Sequence, residues 1–319
     1  MRILALGGAG FIGSVLVPLL QGRGHEVTVA DLFWFGRHLP DDVATIEGEL
    51  FDLSESDLED FDCVIFLAGL SNDPMAEFNP AKNFVENGAL PSYLAYIAKN
   101  AGVERFVYAS SCSVYGFTDA TLADEESEVH CGYPYGISKL QGERGVLQLA
   151  DDTFSTIALR QGTVVGYSPR MRFDLIVNTM FKTALKTGRI TVNNPRIWRP
   201  ILDVRDTCEA FRLAVEAPQG TSGVFNVAYD NFTVGEIGKQ VAASVEAVTG
   251  RRVDVDMRDV EDFRSYRVST ARAREILGFA PRYDVAAIVE ELYAHMSEYG
   301  DFSKEAFYNI EIFKQLAPS

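Results

Sequence analysis

The sequence predicts an α/β fold, a doubly wound parallel sheet with a smaller discontinuous α/β region attached, and three observations predict it. Residues 2–6 (RILAL) read as a buried strand that runs straight into Gly7-Gly8-Ala9-Gly10-Phe11-Ile12-Gly13 and then an apolar helix. EVTVAD (26–31) is a second strand, and it ends on a carboxylate. CVIFLAGL (63–70), RFVYASS (105–111) and TIALRQGTVVG (156–166) are near-continuous apolar runs alternating with helical segments. That is the pattern of parallel strands covered on both faces.

Taken in order, strand, glycine turn, helix, strand and acid form a dinucleotide-binding unit of the Rossmann type. Gly7 permits the tight turn, Gly10 lets the backbone approach a pyrophosphate, and Gly13 lets helix and strand pack closely. The helix N-terminus turns its dipole toward the phosphates, with Phe11 and Ile12 on the turn. Asp31, followed by Leu32, accepts the adenosine ribose hydroxyls and repels a 2'-phosphate, so NAD is favoured over NADP. Arg37 and His38 lie just downstream and leave NADP as an alternative. Asp52 and Leu53 either border the adenine or belong to a solvated loop. Leu67, Ala68 and Gly69 end a central strand at the sheet edge where open α/β sheets bind ligands. A helix is expected from about 81 to 100, with Asn87 inside it.

Residues 106 to 139 carry the reactive groups. Ser110 and Ser111 end a strand, and Tyr135 and Lys139 stand four apart on the next helix, on one face. An ammonium one turn from a phenol favours phenolate, which makes a base of it nearer neutrality. After Gly166 the alternation breaks. A helix runs to about 186, a short strand covers 190–193, and a helix at 206–217 with GVFNVA (223–228) returns to the sheet. Three helices follow, TVGEIGKQVAASVEAV, TARAREILGF and 284–299. The expected division is a cofactor domain of 1–166 plus 200–228 and a substrate domain of 167–199 plus 229–319.

Composition narrows the function. A formal net charge of -16 argues against a nucleic-acid partner, which needs clustered cations. Cys63, Cys112, Cys131 and Cys208 are widely spaced, the histidines have no metal-ligand spacing, and no run of ~18 apolar residues or cationic leader occurs. A reduced, cytoplasmic protein with no metal and no membrane span is expected.

GGAGFIG, Asp31, FLAGL, Asn87, SSCSVYG, YGISK and WRPILDVRD occur in that order, and on them the chain resembles the extended short-chain dehydrogenases/reductases, the nucleotide-sugar epimerase and dehydratase group. The resemblance implies a homodimer formed through helices near 85–100 and 135–150. It implies that Tyr135 is the base for a sugar hydroxyl, that Lys139 holds the nicotinamide ribose and lowers the Tyr135 pKa, and that Ser111 rather than Ser110 orients the same oxygen. Dehydratases of the group carry an Asp-Glu pair next, where this chain has Cys112 and Ser113. The expected reaction is therefore NAD-dependent epimerisation of a nucleotide-diphosphate sugar, at C4, with a 4-keto nucleotide-sugar reductase as runner-up and a dehydratase or a non-catalytic NAD-binding regulator behind it. Cys112 is either a pocket wall or a thiol acting on substrate. Arg199 is the expected diphosphate contact, with Arg264 and Arg267 as further candidates. Ser71, Arg172, Asp174 and Asn178 fall where sugar and base are held.

Overall fold

The computed structural model describes residues 1–259 and 264–316. The chain runs through β1 (Arg2–Leu6), α1 (Gly13–Gly22), β2 (Glu26–Asp31), β3 (Ala44–Glu47), β4 (Cys63–Phe66), α2 (Asp73–Phe78), α3 (Pro80–Phe84), α4 (Leu90–Asn100), β5 (Arg105–Ser111), β6 (Phe117–Ala123), α5 (Pro134–Leu147), β7 (Ser155–Gln161) and β8 (Thr163–Val165). It continues through α6 (Ile176–Thr187), β9 (Arg189–Asn193), β10 (Trp198–Asp203), α7 (Val204–Val215), β11 (Gly223–Val227), β12 (Asp230–Thr233), α8 (Val234–Thr249), β13 (Asp254–Arg258), β14 (Ser265–Val268), α9 (Val285–Ala294), α10 (Met296–Tyr299) and α11 (Asn309–Leu316).

Seven strands form one sheet in the order β11-β7-β5-β4-β1-β2-β3, and every pairing in it is parallel. The central strands β4, β5 and β7 are buried along their whole length, as their unbroken apolar runs require. Leu16, Val17 and Leu20 of α1 join Phe211, Ala214 and Val215 of α7 on one face. Leu90, Leu94 and Ala98 of α4 and Val146 of α5 cover the other. The sheet is thus doubly wound, and its order reverses beside β1, where the glycine turn lies.

A second core gathers α6, α8 and α9 around Phe173, Phe181, Ile237, Val241, Ile288 and Leu292. Three small sheets accompany it, in the orders β12-β10-β8, β13-β9 and β14-β6. Ala273, Leu277 and Phe279, expected in the substrate region, pack instead into the core of the main sheet.

Local departures have local causes. The helix expected over 81–100 is interrupted by a wide turn at Val85–Ala89, between helices that each start on a proline-containing first turn. TARAREILGF keeps one helical turn, Ala273–Leu277, before Gly278 closes it in a left-handed conformation. The helix of 284–299 breaks at His295. Among the described residues, strands β6 and β14 pair only with each other, with Ser265 opposite Phe117 148 positions away in sequence; β14 buries Tyr266 and Val268 in alternation, but four residues are too few to announce a strand.

Candidate active site

A cavity of about 600 Å³ opens along the carboxyl edge of the sheet, where every strand of the sheet points its C-terminus. Gly7, Gly10, Phe11, Ile12 and Gly13 line it below, and Asp31, Leu32, Leu67, Ala68 and Gly69 line it beside them. No side chain caps the N-terminus of α1, and although the Ser14 and Val15 amides bond the Gly10 and Ile12 carbonyls, the positive end of the helix dipole lies on the cavity wall, where it suits a phosphate. Gly7 has φ of 77°, and a Cβ there would sit 2.5 Å from the Ala68 nitrogen. The turn therefore closes against β4 only with glycine.

Asp31 accepts from the Ala9 N–H and the Phe33 N–H, each at 2.9 Å. These bonds fix the carboxylate at the end of β2 and leave each oxygen a second acceptor site for a hydroxyl. Burial pushes the Asp31 pKa up, while the Phe33 and Ala9 amides pull against it. Arg37 is committed elsewhere: it donates to Thr45 and Glu47 at 2.9 and 2.7 Å. His38 bonds the Phe35 carbonyl. Neither lines the cavity, so neither offers a cation to a 2'-phosphate beside Asp31. The cradle fits NAD.

Ser111, Tyr135 and Lys139 meet on the adjacent wall. Pro134 opens α5 in its first turn, a pre-organised start, and the i, i+4 spacing turns Tyr135 and Lys139 to the same side. The two serines have different work. Ser110 Oγ donates to Glu143 at 2.6 Å, and Glu143 is in turn held by Arg160 at 2.7 and 2.9 Å. Ser111 Oγ accepts from the Ser113 N–H at 3.1 Å and donates to Ser113 Oγ at 3.0 Å. Burial pushes the Tyr135 phenol up, and the Ser111 hydroxyl exerts the largest opposing pull. Lys139 Nζ donates to the Ala109 carbonyl at 3.0 Å, and burial pulls its pKa down to about 8. The dominant influences on the phenol are therefore burial and Ser111, and the ammonium expected to lower it is turned toward the strand.

The family model for the NAD dependent epimerase/dehydratase family matches residues 3–228. The chain belongs to that family. A UDP-glucose 4-epimerase of Corynebacterium glutamicum is 27% identical over 329 residues, covering 96% of this chain and 99% of that protein. UDP-glucuronic acid decarboxylase 6 of Arabidopsis thaliana is 29% identical over 302 residues, covering 88% and 84%. The solved structure of MoeE5 in complex with UDP-glucose and NAD is similar with a TM-score of 0.80 and 28% identity, over 93% of this chain and 100% of that one.

Among the other residues singled out for this NAD-dependent family member, Ser71, Ser113, Arg172, Asp174, Arg199 and Arg264 line the cavity. Arg172 pairs with Asp174 through two contacts of 2.9 Å, and Arg264 pairs with Asp73. Arg199 lies 5.4 Å from the Tyr266 ring centre.

Six residues stand elsewhere. Leu50–Asp52 is a single tight turn; with three residues per turn it points Leu50 to the cavity and Asp52 to solvent, while Leu53 enters the core. Glu49 and Leu50 are the cavity residues there. Asn87 is buried beneath Gly69, donating to Leu70, Asn83 and Ser138. Cys112 is fully buried, and its thiol donates to the Arg160 carbonyl. Burial pushes that thiol up, which suits a packed side chain and not a nucleophile. Asn178 is spent on the backbone of Gly166 and Arg172. Arg267 lies over Trp198 at 4.8 Å, off the cavity.

Sequence reasoning missed Trp34, Phe35, Asp73, Tyr133, Arg170, Tyr266 and Asn309, all on the cavity wall. Arg170 shares the SPRMRF segment with Arg172, two positions along, and that was its signal. Asn309 had none, because it reaches the site only through the packing of the C-terminal helix.

Proposed function

We propose that the protein is an NAD-dependent nucleotide-sugar 4-epimerase. One observation carries the reading: Ser111, Tyr135 and Lys139 stand beside the glycine turn, and the two positions after Ser111 bring no carboxylate to the cavity, since Cys112 is turned into the core and Ser113 faces the site. The carboxylates that do line the sugar end, Asp73 and Asp174, are held by Arg264 and Arg172. Elimination of water has no uncommitted acid and base there.

NAD, held by the turn from Gly7 to Gly13 and by Asp31, would supply a reversible hydride acceptor for the sugar carbon. Tyr135, entering as the phenolate against the upward pull of burial, takes the proton of the hydroxyl on the reacting carbon and, as phenol, gives it back on the return. Ser111 hydrogen-bonds the same oxygen, steadying it as alkoxide character develops. Lys139 holds the nicotinamide ribose. Arg199 and Arg264 serve the nucleotide diphosphate, for which the guanidinium fork is suited. From 167–199 and 229–319, Arg172, Asp174, Arg199, Arg264 and Tyr266 line the sugar-nucleotide side of the cavity.

The protein acts as a cytoplasmic homodimer in this reading. Its cysteines are free, and no helix among the described residues is long and apolar enough to cross a membrane. Tyr93 and Tyr96 on α4, 39% and 54% exposed, offer an apolar face for a second copy.

The test is to incubate the protein with UDP-glucose and with UDP-glucuronic acid and follow each by mass and proton NMR. An epimer of unchanged mass, with no net absorbance of reduced nicotinamide, is expected. Loss of water or of carbon dioxide, or stoichiometric oxidation of added reduced cofactor, would overturn the assignment.

A further inference from the structure

Arg170 is 2% exposed. Its Nη2 donates to Asn309 Oδ1, and its guanidinium lies 3.7 Å from the Phe35 ring centre. Nε and Nη1 have no acceptor among the described residues. The nearby carboxylates are spoken for: Asp174 pairs with Arg172, and Asp31 accepts from Ala9 and Phe33. Asp174 and Asp31 act on it only at a distance and burial outweighs them, pulling this guanidinium down to about 9; a buried cation with no bonded carboxylate is costly. An anion entering the cavity that Arg170 lines would relieve that cost.

Which anion follows from where the loop is pinned. Ser168 Oγ donates to the Phe11 carbonyl at 2.7 Å, which ties the segment carrying Arg170 to the glycine turn. Phe35, against which Arg170 stacks, lies four positions past Asp31. Both neighbours belong to the cofactor side, whereas Arg199 and Arg264 stand with Tyr266 and Tyr133 on another wall.

We propose that Arg170 is a ligand of the NAD diphosphate and that Asn309, at the start of α11, is the positioning residue that holds its guanidinium. The fork geometry of arginine matches paired phosphate oxygens. Asn309 also donates to Ser71 at 2.7 Å, and Phe313 on the same helix packs against Trp34 and Phe78, with ring centres 6.1 and 5.9 Å away. The C-terminal helix thus joins the ribose loop, the diphosphate arginine and the wall after β4. The assignment rests on NAD dependence and stands whichever sugar is turned over.

Binding of NAD, ADP-ribose, adenosine and UDP to nucleotide-free wild type, Arg170→Met, Arg170→Lys and Asn309→Ala tests it by titration calorimetry, independently of turnover. Arg170→Met is expected to bind NAD and ADP-ribose about tenfold to a hundredfold more weakly with adenosine and UDP unchanged. Arg170→Lys should fall between, and Asn309→Ala should weaken the same two ligands severalfold. Equal weakening of adenosine, a loss confined to UDP, or no change would each overturn the proposal. Should Arg170→Met fail to fold, Arg170→Lys and Asn309→Ala, checked for an unaltered melt, decide between these outcomes.

Discussion

Ser110 and Ser111 are neighbours on one strand, yet alternation sends their hydroxyls to different partners. Ser110 closes the Glu143–Arg160 network, whereas Ser111 faces Ser113 and the Tyr135 phenol. Ser110→Ala should therefore lower stability by about 1–3 kcal/mol, the worth of a buried bond to a charge, which a urea melt reads. Ser111→Ala should leave the melt alone and reduce kcat. Tyr135→Phe removes the proton acceptor and should cost about 10²–10⁴ in kcat while NAD still binds, as cofactor content per chain will report. Lys139 makes a prediction of its own about pH. Its folded pKa of about 8 lies below the ordinary 10.5, so below pH 8 both states carry the proton and the burial penalty is in full force. Between those values the unfolded chain holds more protons, and stability rises with pH. Wild type should gain on the order of 3 kcal/mol relative to Lys139→Met between pH 7.5 and 10.5, measured by paired denaturant titrations; a flat difference would mean the ammonium is solvated.

At the scale of elements, the site depends on close approaches that side chains would block. Gly69 has φ of 112°, and a Cβ there would lie 2.0 Å from Asn87 Oδ1. Gly69→Ala should therefore displace the Val85–Ala89 turn, destabilise by about 2 kcal/mol or more and reduce cofactor retention, seen together in melting and in NAD content. Helix α5 is tied to β5 and β7 by the buried Glu143–Arg160 pair, whose side chains are 2% and 6% exposed. Glu143→Ala leaves Arg160 buried without its carboxylate and should cost about 3–5 kcal/mol, read from the shift in urea midpoint at constant slope. Element identity was legible where periodicity is strong, as in β1, α1, β4, β5 and α8. Boundaries were not legible where a proline or a single tight turn decides them, as at 50–52 and 85–89, because one residue of rotation there exchanges the side chain that meets the ligand.

Across the whole molecule, the C-terminal helix closes the edge that the glycine turn opens. A chain ending at Tyr308 loses Asn309 and Phe313, and it should release NAD faster than wild type during gel filtration while keeping the far-ultraviolet dichroism of the main sheet. The sequence by itself determined the doubly wound sheet, the NAD cradle from Gly7 to Asp31 and the pairing of Tyr135 with Lys139. These are short-range features, fixed by glycine conformation, by apolar runs and by an i, i+4 spacing. Only the tertiary structure decided that Cys112 and Asn178 are packed away, that Asp52 faces solvent, and that Arg170 and Asn309 meet at the cavity. Those outcomes depend on which side of an element faces the site and on contacts spanning 139 and 238 positions, and local propensity carries no information about either.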